Sequence, residues 1–255
     1  MKIAVITGAS SGIGYEFAKA IAENYTVDEM WLIARRENRL KELAETLSVP
    51  CKVIPMDLTD DDAVSAYSKM LEEANPVISV MVNAGGFGKF GHHTAVKLSD
   101  SLNMIDLNCK ALLQMTETSL PYMAEGSEIY QIASLSSFQP VPYLNTYAAT
   151  KAFVLSYTRG LNRELKSRKI RAMAVSPGWV KTEFFDRAAT ADSDAVTYFN
   201  VMYTPDAIVK TALKDMKRKK DVSVHGFRVK MQVFAVKLLP HSLVMNIWLR
   251  QQGHK

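Results

Sequence analysis

Short apolar runs alternate with longer amphipathic segments through most of this 255-residue chain. KIAVIT, EMWLIA, CKVIPM, VISVMV, SEIYQIA and IRAMAV each read as a strand. They are β-branched and apolar on both faces, as strands buried in a parallel sheet must be. The spacing predicts helices over 12–24, 37–47, about 60–73, 99–123 and about 147–167. Strands joined through helices require right-handed crossovers, so the pattern predicts an α/β fold with one doubly wound parallel sheet of about seven strands, helices on both faces. No internal repeat or Gly/Ser linker interrupts it, so residues 1–255 are expected to form a single domain. Past Pro177 the regularity breaks, and residues about 183–205 suit a mobile lid or substrate loop. A helix from Pro205 to about Lys217 and a short strand VSVH follow, then an apolar, basic extension over about 226–255.

Composition sets few limits. With 48% hydrophobic and 22% charged residues the chain is ordinary globular material. Cys51 and Cys109 read as reduced thiols of a cytoplasmic protein, since the N-terminus shows no signal-peptide pattern. The apolar run LLPHSLVMNIWL is too short to span a bilayer and contains Pro240. The net charge of +5 is uneven: from Lys210 onward eleven Lys/Arg face two Asp/Glu. No recognition motif accompanies that charge, which argues against a nucleic-acid partner.

The first strand ends in TGASSGIG, Thr7 to Gly14, with glycines at 8, 12 and 14 and hydroxyls at Ser10 and Ser11. A Gly-rich turn opening a helix lets backbone approach a pyrophosphate, and the helix N-terminus supplies N–H groups and a positive dipole end. Gly14 lets the helix pack closely on the strand. The form Thr-Gly-x-x-x-Gly-x-Gly resembles that of the short-chain dehydrogenase/reductase family, whose domain is a Rossmann fold. Ile13 lies within the same motif. At the end of the second strand, where NAD binders usually place a carboxylate, stand Ala34, Arg35 and Arg36. A guanidinium clamps a 2′-phosphate bidentately, so NADP(H) is expected over NAD(H), with Arg35 the first candidate. The alternative is that both arginines belong to the solvated face of the next helix. The resemblance further implies that Asp57 and Leu58 contact the adenine and that Asn83, Ala84 and Gly85 back its ribose. The family's second Asn before this triplet is Val82 here. Pro177, Gly178, Val180 and Thr182, in SPGWVKT, match the segment that meets the nicotinamide.

Tyr147 and Lys151, in YAATK, stand at the start of the helix after the fifth strand, at the carboxyl edge of the sheet where ligands of such folds bind. A phenol with a reference pKa near ~10 is a proton donor to a nascent alkoxide but a sluggish base. An ammonium about 4 Å away is worth roughly 4 kcal/mol at an effective dielectric of ~20, which, helped by the positive charge of an oxidised nicotinamide, is enough to bring the phenol's pKa down toward ~7. The resemblance assigns Ser134 to polarise the substrate carbonyl, with Ser136 and Ser137 left as turn residues, and Asn108 to hold a water that leads protons to Lys151. The implied activity is hydride transfer between a nicotinamide and a carbonyl or secondary alcohol, without a metal. The resemblance covers residues 1 to about 183 and implies a homodimer or homotetramer paired through the two long central helices.

The substrate must be read from the lid and tail. Phe87 and Phe90 are expected near the pocket, and the lid adds Phe184, Phe185, Tyr198, Phe199 and Tyr203. With Trp179 and Tyr143 these favour an apolar substrate (a ketone, a 3-oxoacyl compound or a steroid-like molecule) over a sugar. The tail has three readings. It closes the pocket or a dimer contact, it lies on an anionic membrane surface as a peripheral contact, or it steers an anionic substrate. The competing functional class is a catalytically inactive NADP-binding sensor or scaffold. An epimerase or dehydratase with the same Tyr-x-x-x-Lys pair usually needs a larger C-terminal domain than 255 residues allow.

Overall fold

The computed structural model describes residues 1–188 and 195–254. The lid expectation therefore falls partly on 189–194, outside the described residues. Six strands form where the apolar runs place them: β1 Lys2–Thr7, β2 Glu29–Ala34, β3 Cys51–Pro55, β4 Val77–Asn83, β5 Glu128–Ile132 and β6 Arg171–Val175. β7 (Trp179–Val180) and β8 (Met202–Tyr203) make a separate two-stranded ribbon, and β9 (Val222–Ser223) completes the main sheet. That sheet has seven strands in the order β3-β2-β1-β4-β5-β6-β9, all parallel. The chain winds outward from β1 to β3 and then returns beside β1 with β4. The carboxyl ends of β1 and β4 thus flank a crevice at the topological switch point.

Strand residues point alternately to the two faces, and both faces are covered. Ala4 and Ile6 of β1 pack with α1 (Gly12–Asn24), α2 (Glu37–Thr46) and α8 (Pro205–Lys217), through Phe17, Ile21, Leu40 and Ile208. Ile3 and Val5 pack with α3 (Ala63–Ala74), α5 (Leu112–Ser119) and α6 (Asn145–Glu164), through Tyr67, Leu71, Met115 and Leu161. Burying alternate residues on opposite faces leaves no polar side to the strand, which is why each reads as a continuous apolar run.

Two expected helices differ. The segment after β3 becomes helical only at Ala63, because Asp57 and Asp60 hold successive turns: Asp60 N–H donates to the Asp57 carbonyl and Ala63 N–H to that of Asp60. The expected single helix over 99–123 is composite. α4 (Leu98–Ile105) passes through a π-helical turn, Asp106–Ala111, into α5, and a 3₁₀ turn at Leu120–Tyr122 ends it. The π turn rotates the face on which Asn108 emerges and buries that residue completely. The tail forms two helices, α9 (Phe227–Leu238) and α10 (His241–Gln251), broken at Leu239–Pro240. The short helix α7, Phe184–Ala188, lies between β7 and the undescribed residues.

Candidate active site

The glycines after β1 are demanded by close approach. Gly8 has φ +67°, and a Cβ on it would lie 2.6 Å from the Gly85 nitrogen. A Cβ on Gly14 would lie 2.4 Å from the Gly8 carbonyl oxygen, so α1 can pack here only without a side chain. Thr7 Oγ1 ties the crevice together by accepting from the Ala84 and Gly85 N–H groups at 3.1 and 3.2 Å. Ser11 stands at the N-cap of α1 without a side-chain capping bond, and no acidic residue occupies the first turn. The dipole end of α1 is thus left facing the cavity with nothing anionic in its own first turn to neutralise it. This cradle fits a pyrophosphate.

Of the residues expected to hold a cofactor, nearly all line one continuous cavity: Gly8, Ser10, Ser11, Gly12 and Ile13 on one wall, then Arg35, Arg36, Asp57 and Leu58, then Ala84 and Gly85, and finally Pro177, Gly178, Val180 and Thr182. Gly14 and Asn83 stand behind it. Asn83 is 2% exposed and donates to Thr116 Oγ1 at 3.0 Å, while its Oδ1 finds no partner among the described residues. Asp57 accepts from the Thr59 N–H and hydroxyl at 3.0 and 2.8 Å. Partial burial pushes its pKa up, but these bonds and the nearby Arg35 charge outweigh it and hold the carboxyl below its ordinary value.

The two arginines, of which Arg35 was the first candidate from sequence, behave differently. Arg35 points outward, 57% exposed, and meets Asp57 at 3.4 Å. Arg36 folds back over the loop: Nη2 donates to Ser11 Oγ at 2.7 Å and Ser10 Oγ at 3.1 Å, and Nη1 to Glu183 at 2.7 Å. Arg39, one turn into α2, grips the other oxygen of Glu183. Hydrogen bonds from Arg39 and Arg36 push the Glu183 carboxyl down to about 2. Neither Arg39 nor Glu183 carried a sequence signal. Glu183 is 147 positions from Arg36, and only the fold brings them together.

Deeper in, Ser134, Tyr147 and Lys151 line the same cavity. Ser134 follows β5, and its Oγ accepts from the Ser136 N–H at 3.2 Å, capping the turn Leu135–Phe138. Ser134 and Tyr147 thus face the same stretch of the cavity. Tyr147 and Lys151 occupy one face of the first turns of α6. Lys151 is 5% exposed, and its Nζ donates to the Ile132 carbonyl at 2.7 Å. Asn108 does not line the cavity. Its Nδ2 donates to the Phe87 carbonyl at 2.9 Å and to Thr150 Oγ1 at 3.0 Å, and its Oδ1 accepts from the Phe87 N–H at 3.1 Å. It therefore clamps the segment following β4 to α6.

The expected lowering of the phenol is not found in this geometry. The Lys151 Nζ is held by Ile132 and lies 5.8 Å from the Tyr147 ring centroid. Burial dominates instead, pushing Tyr147 up to about 12, with the Ser134 hydroxyl pulling the other way. Burial likewise pushes Lys151 down to about 8. Tyr147 is thus neutral throughout the physiological range.

Residues 2–193 match the short chain dehydrogenase family. The chain belongs to that family. An uncharacterized oxidoreductase of Staphylococcus epidermidis is 34% identical over 183 residues, covering 71% of this chain and 79% of that protein. An uncharacterized oxidoreductase of Staphylococcus aureus strain N315 is 31% identical over 232 residues, 90% of this chain and 96% of the other. Among solved structures, a short-chain dehydrogenase from Sphingobium yanoikuyae in complex with NADPH superposes with a TM-score of 0.79 at 27% identity, over 96% and 95% of the two chains. A short-chain dehydrogenase/reductase from Burkholderia phymatum in complex with NAD reaches the same TM-score at 19% identity over 95% and 94%, a likeness of fold alone.

Part of the cavity wall is aromatic. Phe87, Trp179, Phe184, Phe185 and Tyr198 line it. The other expected aromatics do not. Phe90 is 4% exposed at the centre of a ring cluster, Phe199 packs edge-on to Trp179 and Phe185, and Tyr203 meets His225. Tyr143 stacks on His254 of the tail, ring centroids 4.4 Å apart. The tail reaches the cavity. Trp248, Gln232 and Gln251 line the cavity, and Trp248 Nε1 donates to the Pro142 carbonyl at 3.0 Å. Gln252 Oε1 accepts from the Thr197 and Tyr198 N–H groups, both at 2.9 Å, fastening the lid's far end to α10. Sequence periodicity had no means of locating these contacts.

Proposed function

We propose that this oxidoreductase interconverts a carbonyl and a secondary alcohol with NADP(H), on an apolar substrate of the ketone, 3-oxoacyl or steroid-like kind. The observation that carries the reading is a single cavity. It runs from the pyrophosphate-shaped cradle to a Ser134–Tyr147 hydroxyl pair with a buried lysine beside it. Gly8, Ser10, Ser11, Gly12, Ile13 and Gly14 would hold the pyrophosphate. Asp57, Leu58, Asn83, Ala84 and Gly85 would form the adenosine side, and Pro177, Gly178, Val180 and Thr182 the nicotinamide side. Arg36 is the better placed guanidinium for a 2′-phosphate, because it already reaches the loop hydroxyls and no acid ends β2. Arg35, more exposed and paired with Asp57, is secondary. Pairing as a homodimer or homotetramer is supported by the exposed apolar face of α4 and α6, where Leu98, Leu102, Ile105 and Phe153 stand at the surface.

A bound nicotinamide supplies hydride exchange with the carbonyl carbon. The chain's residues manage the oxygen. Ser134 orients it and shares its developing charge, a preorganised donor in a water-poor site. Tyr147, neutral well above physiological pH, donates the proton. Lys151 places a fixed positive charge near that proton's origin, and Asn108 holds α6 against the segment after β4 so that the three do not drift.

Screening ketones, 3-oxoacyl thioesters and steroids with NADPH and with NADH, followed by nicotinamide absorbance, tests the reading. Tyr147→Phe is expected to lower kcat by about 10²–10⁴-fold while leaving NADPH affinity intact. A Tyr147→Phe protein that reduces carbonyls as fast as its parent would turn the assignment toward a non-catalytic NADP-binding scaffold.

A further inference from the structure

The tail helices carry an outer face that the fold leaves uncovered. α9 is apolar on two opposite sides. Val229, Val233 and Val236 are buried against the body of the protein. Phe227, Met231, Phe234 and Leu238 stand at 78, 51, 60 and 69% exposure. At 3.6 residues per turn, the spacing of these four places them within an arc of about 60°. The exposed Arg228 then lies about 100° to one side and the exposed Lys230 about 60° to the other. α10 exposes Leu243 and Ile247 and carries the exposed Arg250. Between residues 226 and 255 there are five Lys/Arg and no Asp/Glu. Lys237 is exposed as well, although its Nζ lies 5.3 Å over the Phe138 ring.

We propose that the outer face of α9 and α10 docks on an anionic lipid bilayer. An apolar stripe flanked by cations on both sides matches a surface with acyl chains below and phosphates above. The charge decides against a second copy of this chain, since two such faces would bring like charges together without an acid between them. No helix among the described residues is long and apolar enough to cross a membrane, so the contact is peripheral. The inward sides of the same helices supply Gln232 and Trp248 to the cavity wall. A docked molecule would therefore hold that wall next to the lipid. The docking inference stands on the outer face alone and does not depend on which reaction the cavity performs.

Vesicle flotation of the full-length protein tests it, comparing phosphatidylcholine alone with a mixture containing roughly one-third phosphatidylglycerol. The protein is expected to float with the anionic vesicles and to remain behind with the neutral ones. Arg228→Gln/Lys230→Gln should weaken partitioning by about tenfold or more. Phe234→Glu/Leu238→Glu should abolish it, with melting temperature and light-scattering mass unchanged in both variants. Equal behaviour on the two vesicle types, or undiminished binding by both variants, would overturn the proposal. So would a fall in oligomeric mass in the Phe234→Glu/Leu238→Glu protein, which would assign the stripe to a second copy.

Discussion

The β1–β4 half of the molecule and the lid-and-tail half build opposite ends of one cavity by different means. In the first, function is backbone: a loop pressed against Gly85, an open helix end, a strand terminus without an acid. In the second it is side chains: Trp179, Phe185 and Phe199 meet ring to ring, and Phe87 and Trp248 line the same cavity. Backbone geometry demands particular residues at fixed short spacings, so it leaves a signature. Aromatic packing accepts many residues at many separations, so it does not. That difference explains why this chain's family follows from its motifs while its substrate does not.

If the comparison is right, damage to the two ends should be separable. The largest effect is expected from Arg36→Ala. Losing charge-assisted bonds worth about 1.5–3 kcal/mol should weaken NADPH binding by about 10–100-fold, with NADH nearly unaffected, as read by calorimetric titration. An equal loss for both cofactors would make Arg36 a loop brace and return the 2′-phosphate to Arg35.

The pH dependence should also belong to the cavity floor. Lys151 is protonated below about 8 and loses its charge as pH rises through that value, whereas Tyr147 stays neutral until about 12. kcat/KM for NADPH, which reports the free enzyme, is expected to be level through neutrality and to fall by about tenfold per unit above the break. A profile flat to pH 10 would show that the Lys151 charge is not required.

At the other end, Trp248→Ala removes part of the cavity wall. KM for bulky apolar ketones should rise about fivefold while cofactor affinity and kcat for a small ketone stay within about twofold. A matching loss of NADPH affinity would break the separation of the two ends.

The smallest effect is expected from Glu183→Gln, at the paired ion contacts that join them. Its carboxylate occupies the Arg36 and Arg39 guanidiniums that an incoming phosphate would use. Partly exposed pairs of this kind are weak, so NADPH should bind only about two- to fivefold more tightly, with NADH unchanged. Weaker NADPH binding would mean that Glu183 positions Arg36 rather than competing for it.

What was legible and what was not divide along the same line. The strands were readable because each is buried on both faces, and α6 because Tyr147 and Lys151 fall at helical spacing just past β5. The π-helical turn at Asp106–Ala111 was not readable, since no residue there marks it. Yet it buries Asn108 and aims it at Phe87 and Thr150. That Arg36 folds over the loop while Arg35 points outward was not readable, because distance along the chain from a strand end says nothing about where a long side chain folds. The direction of the Tyr147 shift failed for a related reason. Spacing measures the nearness of an ammonium, but only the fold shows that the ammonium is engaged by Ile132 and that the phenol is desolvated.

By itself the sequence determined a parallel α/β sheet, a cradle after its first strand, and a Ser, Tyr and Lys ordered at the carboxyl edge. Each of these is imposed by periodic burial or by steric limits acting over a few residues. The tertiary structure alone decided which arginine lies over the loop, that Glu183 ties it to the lid, and that the tail reaches the cavity with Trp248. Those are long-range contacts between side chains with no local constraint on their identity. They exist only once the sheet has brought the carboxyl ends of its strands together.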